Sequence, residues 1–81
     1  MNKVSVVILN WNGAEMLRRF LPSVLAGSAG EGIEVCVADN GSSDDSCRML
    51  EQEFPAVRLI RLDRNYGFAD GYNKAFEQVD A

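Results

Sequence analysis

Three short apolar runs, each closing on a polar turn and each followed by a helical pattern, fill this chain of 81 residues. No other feature limits the fold as strongly. Val4 to Leu9 is apolar and β-branched except for Ser5, Ile33 to Ala38 is a second run, and Val57 to Leu62 is a third, with Arg58 and Arg61 near its rims. Runs that do not alternate suit strands covered on both faces, which is the environment of a parallel sheet. Between them, Ala14 to about Ala26 reads as a helix, because Leu17, Leu21, Val24 and Leu25 share one face and Arg18 and Arg19 lie off it. Pro22 removes one helical N–H and predicts a kink or an interruption. Gly27-Ser28-Ala29-Gly30-Glu31-Gly32 reads as a loop.

Ser42-Ser43-Asp44-Asp45 has the capping-box pattern, a hydroxyl followed three residues later by an acid. It predicts a helix from there to about Glu53, with Cys47, Leu50 and Phe54 as its buried stripe and Pro55 as its stop. A last helix, about Ala69 to Val79, carries Phe68, Tyr72, Phe76 and Val79 as an apolar stripe.

The order is βαβαβα. Right-handed crossovers then make it the Rossmann-like half of a doubly wound α/β fold, with a parallel sheet in the order 3-2-1. No repeat, low-complexity tract or linker divides the chain, so residues 1–81 are expected to form a single partial domain. In a complete doubly wound sheet strand 1 is interior. Here it is expected to be a bare edge, with a hazard of self-association, and the chain is expected to be the first part of something longer.

Composition removes several classes of function. The hydrophobic content of 47% and charged content of 25% are those of an ordinary globular domain. A net charge of -4 argues against nucleic acid and anionic membrane surfaces as partners, although Arg58, Arg61 and Arg64 suit a single phosphate group. No apolar run approaches the roughly 20 residues that span a bilayer. Met1-Asn2-Lys3-Val4 leads straight into a strand pattern without the plan of a signal peptide. Cys36 and Cys47 occupy apolar-patterned positions without metal-ligand spacing, and read as reduced core residues of a cytoplasmic protein. There is no His, so imidazole chemistry is excluded within the chain. Neither a glycine-rich dinucleotide turn, nor a P-loop, nor a G-x-S-x-G elbow is present.

What remains suits recognition of a base and a ribose. In a parallel sheet the strand ends Leu9-Asn10-Trp11-Asn12-Gly13, Asp39-Asn40-Gly41 and Asp63-Arg64-Asn65-Tyr66-Gly67 open on one edge. Trp11 offers a stacking surface. Asp39 can accept from a uracil or thymine ring N–H or from ribose hydroxyls, and Asn10 and Asn12 both donate and accept. Each has a plainer reading. Trp11 can cap the core, Asp39 can organise the Asn40-Gly41 turn, Ser42, Asp44 and Asp45 can cap a helix, and Asn65 and Gly67 can be turn residues alone.

Val4-Ser5-Val6-Val7-Ile8-Leu9-Asn10-Trp11-Asn12-Gly13, Asp39-Asn40-Gly41-Ser42-Ser43-Asp44 and Asn65-Tyr66-Gly67-Phe68-Ala69-Asp70-Gly71-Tyr72-Asn73 together resemble family-2 glycosyltransferases. Their order and spacing are similar to the amino-terminal half of a GT-A nucleotide-sugar-binding domain, and the first and third motifs most resemble the rhamnosyl- and galactofuranosyl-transferase branch. The resemblance implies a donor-binding segment for a nucleoside-diphosphate sugar of UDP or dTDP type. It further implies transfer with inversion to a saccharide or lipid-linked acceptor, and peripheral membrane association of a full-length enzyme. It assigns base and ribose contacts to Leu9, Asn10, Trp11 and Asp39, and places Asn65, Gly67 and Asn73 along the donor pocket near ribose and diphosphate. Mg²⁺ or Mn²⁺ is expected in the full-length enzyme, but its acidic ligands and the catalytic base are expected outside this segment. Asp44-Asp45 follows strand 2 rather than the third helix and does not match the metal motif. No catalytic residue is therefore assigned here, and the segment alone is expected to be inactive. Two other readings stay open at this level: a fragment of another nucleotide-binding α/β enzyme, and a non-enzymatic flavodoxin-like binding domain.

Overall fold

A computed structural model describes residues 4–28 and 32–79. Residues 1–3, 29–31 and 80–81 lie outside the described residues, and so do the expectations that fall on them. Strand β1 (Val4–Asn10), helix α1 (Ala14–Gly27), strand β2 (Ile33–Asp39), helix α2 (Ser46–Glu53), strand β3 (Arg58–Arg61) and helix α3 (Gly67–Val79) follow one another. The strands form one parallel sheet in the order β1-β2-β3, so β2 is central. Val4 pairs with Ile33 and Asn10 with Asp39 across β1 and β2, and Asp39 pairs with Arg61 across β2 and β3. This is the α/β arrangement and strand order that the apolar runs predict.

The period-two geometry of a strand splits its side chains between two layers. Val35 and Val37 of β2, with Val6 and Ile8 of β1, pack against Leu17 and Leu21 of α1 and Met49 and Leu50 of α2. Cys36 and Ala38, with Val7 and Leu9, face the opposite layer and pack against Ala75 of α3. Helices α1 and α2 share a face because both crossovers step the same way along the sheet with the same hand. Helix α3 lies on the other face, so the chain reverses its winding there. In open α/β sheets the ligand crevice lies at the carboxyl ends of the strands where the winding reverses.

Four local expectations need correction. Helix α1 runs through Pro22, so the helix is not interrupted there. Pro22 is exposed, and the stripe of Leu17, Leu21, Val24 and Leu25 is held by the core on the opposite side. The capping box at Ser42 does not form: α2 begins at Ser46, and its N-cap residue Asp45 makes no side-chain cap bond. The buried face of α2 is Ser46, Met49 and Leu50, with Phe54 partly covered, and Cys47 sits half-buried beside that face. The late start explains this rotation, because moving the first helical residue changes which positions meet the sheet.

The stripe of α3 is also turned. Gly71 and Ala75 are its buried residues, while Phe68 and Phe76 are exposed and Tyr72 is half-buried. Gly71 explains the choice: a Cβ there would meet Asn40 Nδ2 at 2.9 Å and Leu9 Cδ2 at 3.0 Å. Only small residues let the helix backbone come that close to the sheet. Among the described residues no helix is long and apolar enough to cross a membrane.

Candidate functional site

The three strand ends meet on one edge and are tied together by side chains. At the first junction Asn10 Oδ1 accepts from the Gly13 amide at 3.1 Å, which turns the chain into α1. Asn10 Nδ2 donates to Asp39 Oδ1 at 3.0 Å and to Ser42 Oγ at 3.3 Å. Ser42 Oγ also accepts from the Asn12 amide at 2.8 Å and donates to Asp39 Oδ1 at 2.7 Å. Asn12 stands in the left-handed region, at φ 53°, which an Asn tolerates better than most residues. There its Oδ1 accepts the Ser43 and Asp44 amides at 2.7 and 3.1 Å.

Asp44 serves both helices on this side of the sheet. Its Oδ2 accepts from the Ala14 amide at 3.2 Å, at the start of α1, and its Oδ1 accepts from the Ser46 amide at 3.0 Å, at the start of α2. Its Oδ1 also accepts from the Ser46 hydroxyl. Partial burial pushes the Asp44 carboxyl upward, but the bonds from Ser46 and Ala14 outweigh it and leave the net pKa below the ordinary value.

Asp39 is 3% exposed, at the carboxyl end of the central strand. Besides Asn10 and the Ser42 hydroxyl it accepts from the Ser42 amide at 3.0 Å. Burial, followed by the charge and hydrogen bond of Asp39, pushes the neighbouring Cys47 thiol up to about 11. Neither cysteine forms a disulfide. Asp39 is thus a hub that joins the first two junctions.

Asn40 joins the second junction to the third. It is 3% exposed, its Nδ2 donates to Asn65 Oδ1 at 3.1 Å and to the Gly67 carbonyl at 3.0 Å, and its Oδ1 accepts from the Tyr66 amide at 2.9 Å. Asn65 Oδ1 in turn accepts from the Gly67 amide at 2.7 Å, at the start of α3. In the sequence Asn40 reads only as part of a turn, and this linking role is missed. Its place directly after a buried strand is the available signal, since a buried amide must find partners in the next loop.

A cavity of about 270 Å³ opens above these junctions, lined by Leu9, Trp11, Asn40, Asn65, Gly67 and Phe68. Four of the candidate residues, Leu9, Trp11, Asn65 and Gly67, are therefore brought together. Asn10 and Asp39 lie beneath them as buried supports, and neither lines the cavity. Asn73 is exposed on α3 and does not line it. Phe68, expected in the core, is instead 77% exposed and forms a wall of the cavity with Trp11, which is 57% exposed.

The basic residues do not converge on one phosphate. Arg58 begins β3 at the far end of the sheet and pairs with Glu34 at 3.4 Å, and Arg61 pairs with Glu51. Arg64 lies 4.8 Å above the Tyr66 ring, where a cation–π contact holds it at the third junction. Tyr66 donates its hydroxyl hydrogen bond to Asp63, which lowers the Asp63 pKa. Among the described residues no group of three or more His, Cys, Asp or Glu side chains converges as a metal-ligand set would. Asp45 pairs with Arg18 at 3.7 Å.

Residues 5–81 match the family model described as glycosyl transferase family 2. The chain belongs to that family. Among curated members, an uncharacterized glycosyltransferase of Bacillus subtilis (strain 168), YfnE, is 41% identical over 80 residues, covering 95% of this chain and 20% of the relative. An undecaprenyl-phosphate 4-deoxy-4-formamido-L-arabinose transferase of Proteus mirabilis (strain HI4320) is 38% identical over 85 residues, covering 98% of this chain and 26% of the relative. An N-acetylglucosaminyl-diphospho-decaprenol L-rhamnosyltransferase of Mycobacterium tuberculosis (strain CDC 1551 / Oshkosh) is 32% identical over 74 residues, covering 91% of this chain and 24% of the relative. The family-2 chain therefore spans only about a fifth to a quarter of the length of these relatives. A mannosyltransferase from Pyrobaculum calidifontis, solved in complex with GDP-Man and Mn²⁺, has the same fold over 94% of this chain and 24% of its own, with a TM-score of 0.81 at 21% identity. The GT-A-type architecture expected from the motifs is the one found.

Proposed function

We propose that residues 1–81 are the donor-nucleotide-binding part of a glycosyltransferase that moves a sugar, with inversion, from a nucleoside-diphosphate donor of UDP or dTDP type to a saccharide or lipid-linked acceptor. The observation that carries this reading is the cavity between Trp11 and Phe68 at the carboxyl edge of the sheet. It has an aromatic wall for a base, and the exposed Asn65 side chain, whose Oδ1 is held by Asn40 and Gly67, keeps its Nδ2 as a donor for ring or ribose acceptors. Family membership supports sugar transfer. The names of the relatives support a lipid-linked acceptor and leave a rhamnosyltransferase-like branch as the finer assignment.

In this reading Trp11 and Leu9 meet the base, Asn65 and Gly67 lie toward ribose and diphosphate, and Asn10 and Asp39 hold the first loop in place from below. Burial beneath the cavity keeps Asp39 from meeting a ligand directly. Asn73 enters only at the rim of the bound donor. Among the described residues no group of acidic, His or Cys side chains is placed to hold a divalent ion. Mg²⁺ or Mn²⁺, the acceptor base and any membrane contact are assigned to the remainder of a longer, cytoplasmic protein, and the 81-residue chain by itself carries no transferase activity.

The single tryptophan makes the test direct. Titration of the chain with UDP, dTDP and GDP, followed by Trp11 fluorescence, is expected to give saturable quenching with the pyrimidine nucleotides. Trp11→Phe, followed by calorimetry, is expected to retain weakened binding. Absence of saturable binding by any of the three nucleotides would sink the donor-site reading. Sugar release from a UDP- or dTDP-sugar above a no-protein control would sink the claim of inactivity.

A further inference from the structure

Two side-chain amides at the third junction are locked in one orientation by backbone groups. The Gly67 amide can only donate, and it meets Asn65 Oδ1 at 2.7 Å. The Tyr66 amide can only donate, and it meets Asn40 Oδ1 at 2.9 Å. Asn40 Nδ2 is thereby left to face acceptors, and it donates to the Gly67 carbonyl at 3.0 Å and to Asn65 Oδ1 at 3.1 Å. Turning the Asn65 amide over would set its Nδ2 against two donors. Turning the Asn40 amide over would set its Nδ2 against the Tyr66 amide and its Oδ1 against the Gly67 carbonyl. Asn40 is buried, so those bonds have no ready substitute in water. The backbone of Asn65 is held as closely, since a Cβ on Gly41 would lie 2.6 Å from its nitrogen.

For a ligand the consequence is one of donor against acceptor. Asn65 lines the cavity with Trp11 and Phe68. Its Oδ1 is occupied twice, so what it offers to the cavity is Nδ2, a group that donates and never accepts. A freely turning Asn suits either kind of partner. This one is fixed by bonds made within the junctions themselves.

Bases differ in what their sugar-side edge presents. Uracil, thymine and cytosine present O2 there, an acceptor, and adenine presents N3. Guanine adds the N2 amine, a donor. We infer that Asn65, held by Asn40, is the residue that makes this site refuse guanine: its Nδ2 donates to O2 of a pyrimidine stacked at Trp11, and meets the N2 amine of guanine donor to donor. The inference rests on the donor-site reading, in which Asn65 lies on the ribose side of the base. Where both facing groups donate, each is left without a partner, and the affinity falls about 10-fold or more.

Inosine diphosphate is guanosine diphosphate without the N2 amine, so the two nucleotides isolate that contact from ring size and stacking. UDP, IDP and GDP are titrated into the 81-residue chain and followed by Trp11 fluorescence. The parent is expected to bind UDP and IDP, and to hold GDP about 10-fold more weakly than IDP. Asn65→Asp keeps one oxygen for Asn40 and Gly67 and turns the other, an acceptor, to the cavity. It is expected to reverse the order, with GDP tighter than IDP, and to weaken UDP. Asn65→Ala is expected to bring the IDP-to-GDP ratio close to one. A general loosening of the fold would weaken all three nucleotides alike and leave that ratio where it was.

Equal affinity of the parent for IDP and GDP, with UDP bound, would overturn the inference and leave the donor-site reading standing. So would a ratio that both variants leave unchanged. Binding of UDP with neither purine nucleotide would overturn it too, because ring size and not the amine would then exclude guanine. Failure of UDP itself to bind would sink the donor-site reading and this inference with it.

Discussion

Gly41 is the position where the junctions leave no room for a side chain. Its φ is +77°, and a Cβ placed there would lie 2.6 Å from the Asn65 amide nitrogen and 2.7 Å from the Arg64 carbonyl carbon. Both contacts are with backbone, so no rotamer change relieves them. Gly41→Ala therefore meets two penalties: about 1–2 kcal/mol for a left-handed L-residue, and a further 1–3 kcal/mol for overpacking. Gly67 has nearly the same φ, +79°, but a Cβ there would meet nothing within 4 Å. Gly67→Ala carries only the first penalty. Gly27, at the end of α1, has neither strain nor a neighbour within 4 Å, and Gly27→Ala is expected to be neutral or slightly stabilising. A domain of this size has a total stability of only about 4–12 kcal/mol. Urea unfolding of the three variants should thus rank Gly41→Ala far below Gly67→Ala, with a gap of about 1–3 kcal/mol, and Gly27→Ala at or above the parent. Equal losses for Gly41→Ala and Gly67→Ala would refute the claim that the third junction passes directly against the second.

Two further outcomes follow from the titrating groups and one from the buried amide. Cys47, with its pKa pushed up from 9.0 to about 11 by burial and then by Asp39, should alkylate roughly 10-fold more slowly than a free thiol near pH 8, as mapped by mass spectrometry, because its lower thiolate fraction is partly offset by the greater nucleophilicity of that thiolate. The Asp44 carboxyl is held below its usual value, so its contribution to stability is present above the ordinary carboxylate range and is lost as pH falls through the folded value. Asp44→Asn should therefore lie below the parent in Tm at neutral pH and converge on it in acid. Asn40→Ala strands the Tyr66 amide and the Gly67 carbonyl and should lose about 1–3 kcal/mol in urea titration, with the largest rise in amide exchange at Tyr66 and Gly67.

The strands were legible because burial on both faces demands unbroken apolar runs, and Val35 to Ala38 is such a run with every residue buried. The helices were legible as segments, and α1 in its rotation as well, since Leu17, Leu21, Val24 and Leu25 do face the core, but α2 and α3 were not legible in theirs. Helix α3 has two candidate faces, an aromatic one through Phe68, Tyr72 and Phe76 and a small one through Gly71 and Ala75. Hydrophobicity favours the first, but the closeness of helix to sheet selects the second. The start of α2 misled for a related reason. Ser42 and Asp44 carry capping chemistry, yet both also direct it to long-range partners: Ser42 to Asn10 and Asn12, and Asp44 to the first amide of α1. A local motif cannot register a partner some thirty positions away.

The same long-range bonding decides what the polar residues at the strand ends do. Asp39 and Asn10 attract attention in the sequence as ligand contacts because they are polar residues following buried strands. In the fold they face each other across the β1–β2 ladder, and Ser42 closes the group. A buried carboxylate with several donors is stable only while that set is complete, since each bond to a charged group is worth about 1.5–3 kcal/mol. The network consequently resists rearrangement and fixes the height of Trp11 above the sheet edge. Asn40 does the same for Asn65 and Gly67 on the other side. The groups left facing the cavity are an indole, a phenyl ring, a leucine and one exposed amide side chain. That surface selects by shape and stacking, while the buried carboxylate beneath it contributes rigidity and a negative potential. In the proposed donor site, discrimination among bases would rest on how a ring fits between Trp11 and Phe68 and against Asn65, and charge recognition of a diphosphate would have to come from groups outside the cavity lining.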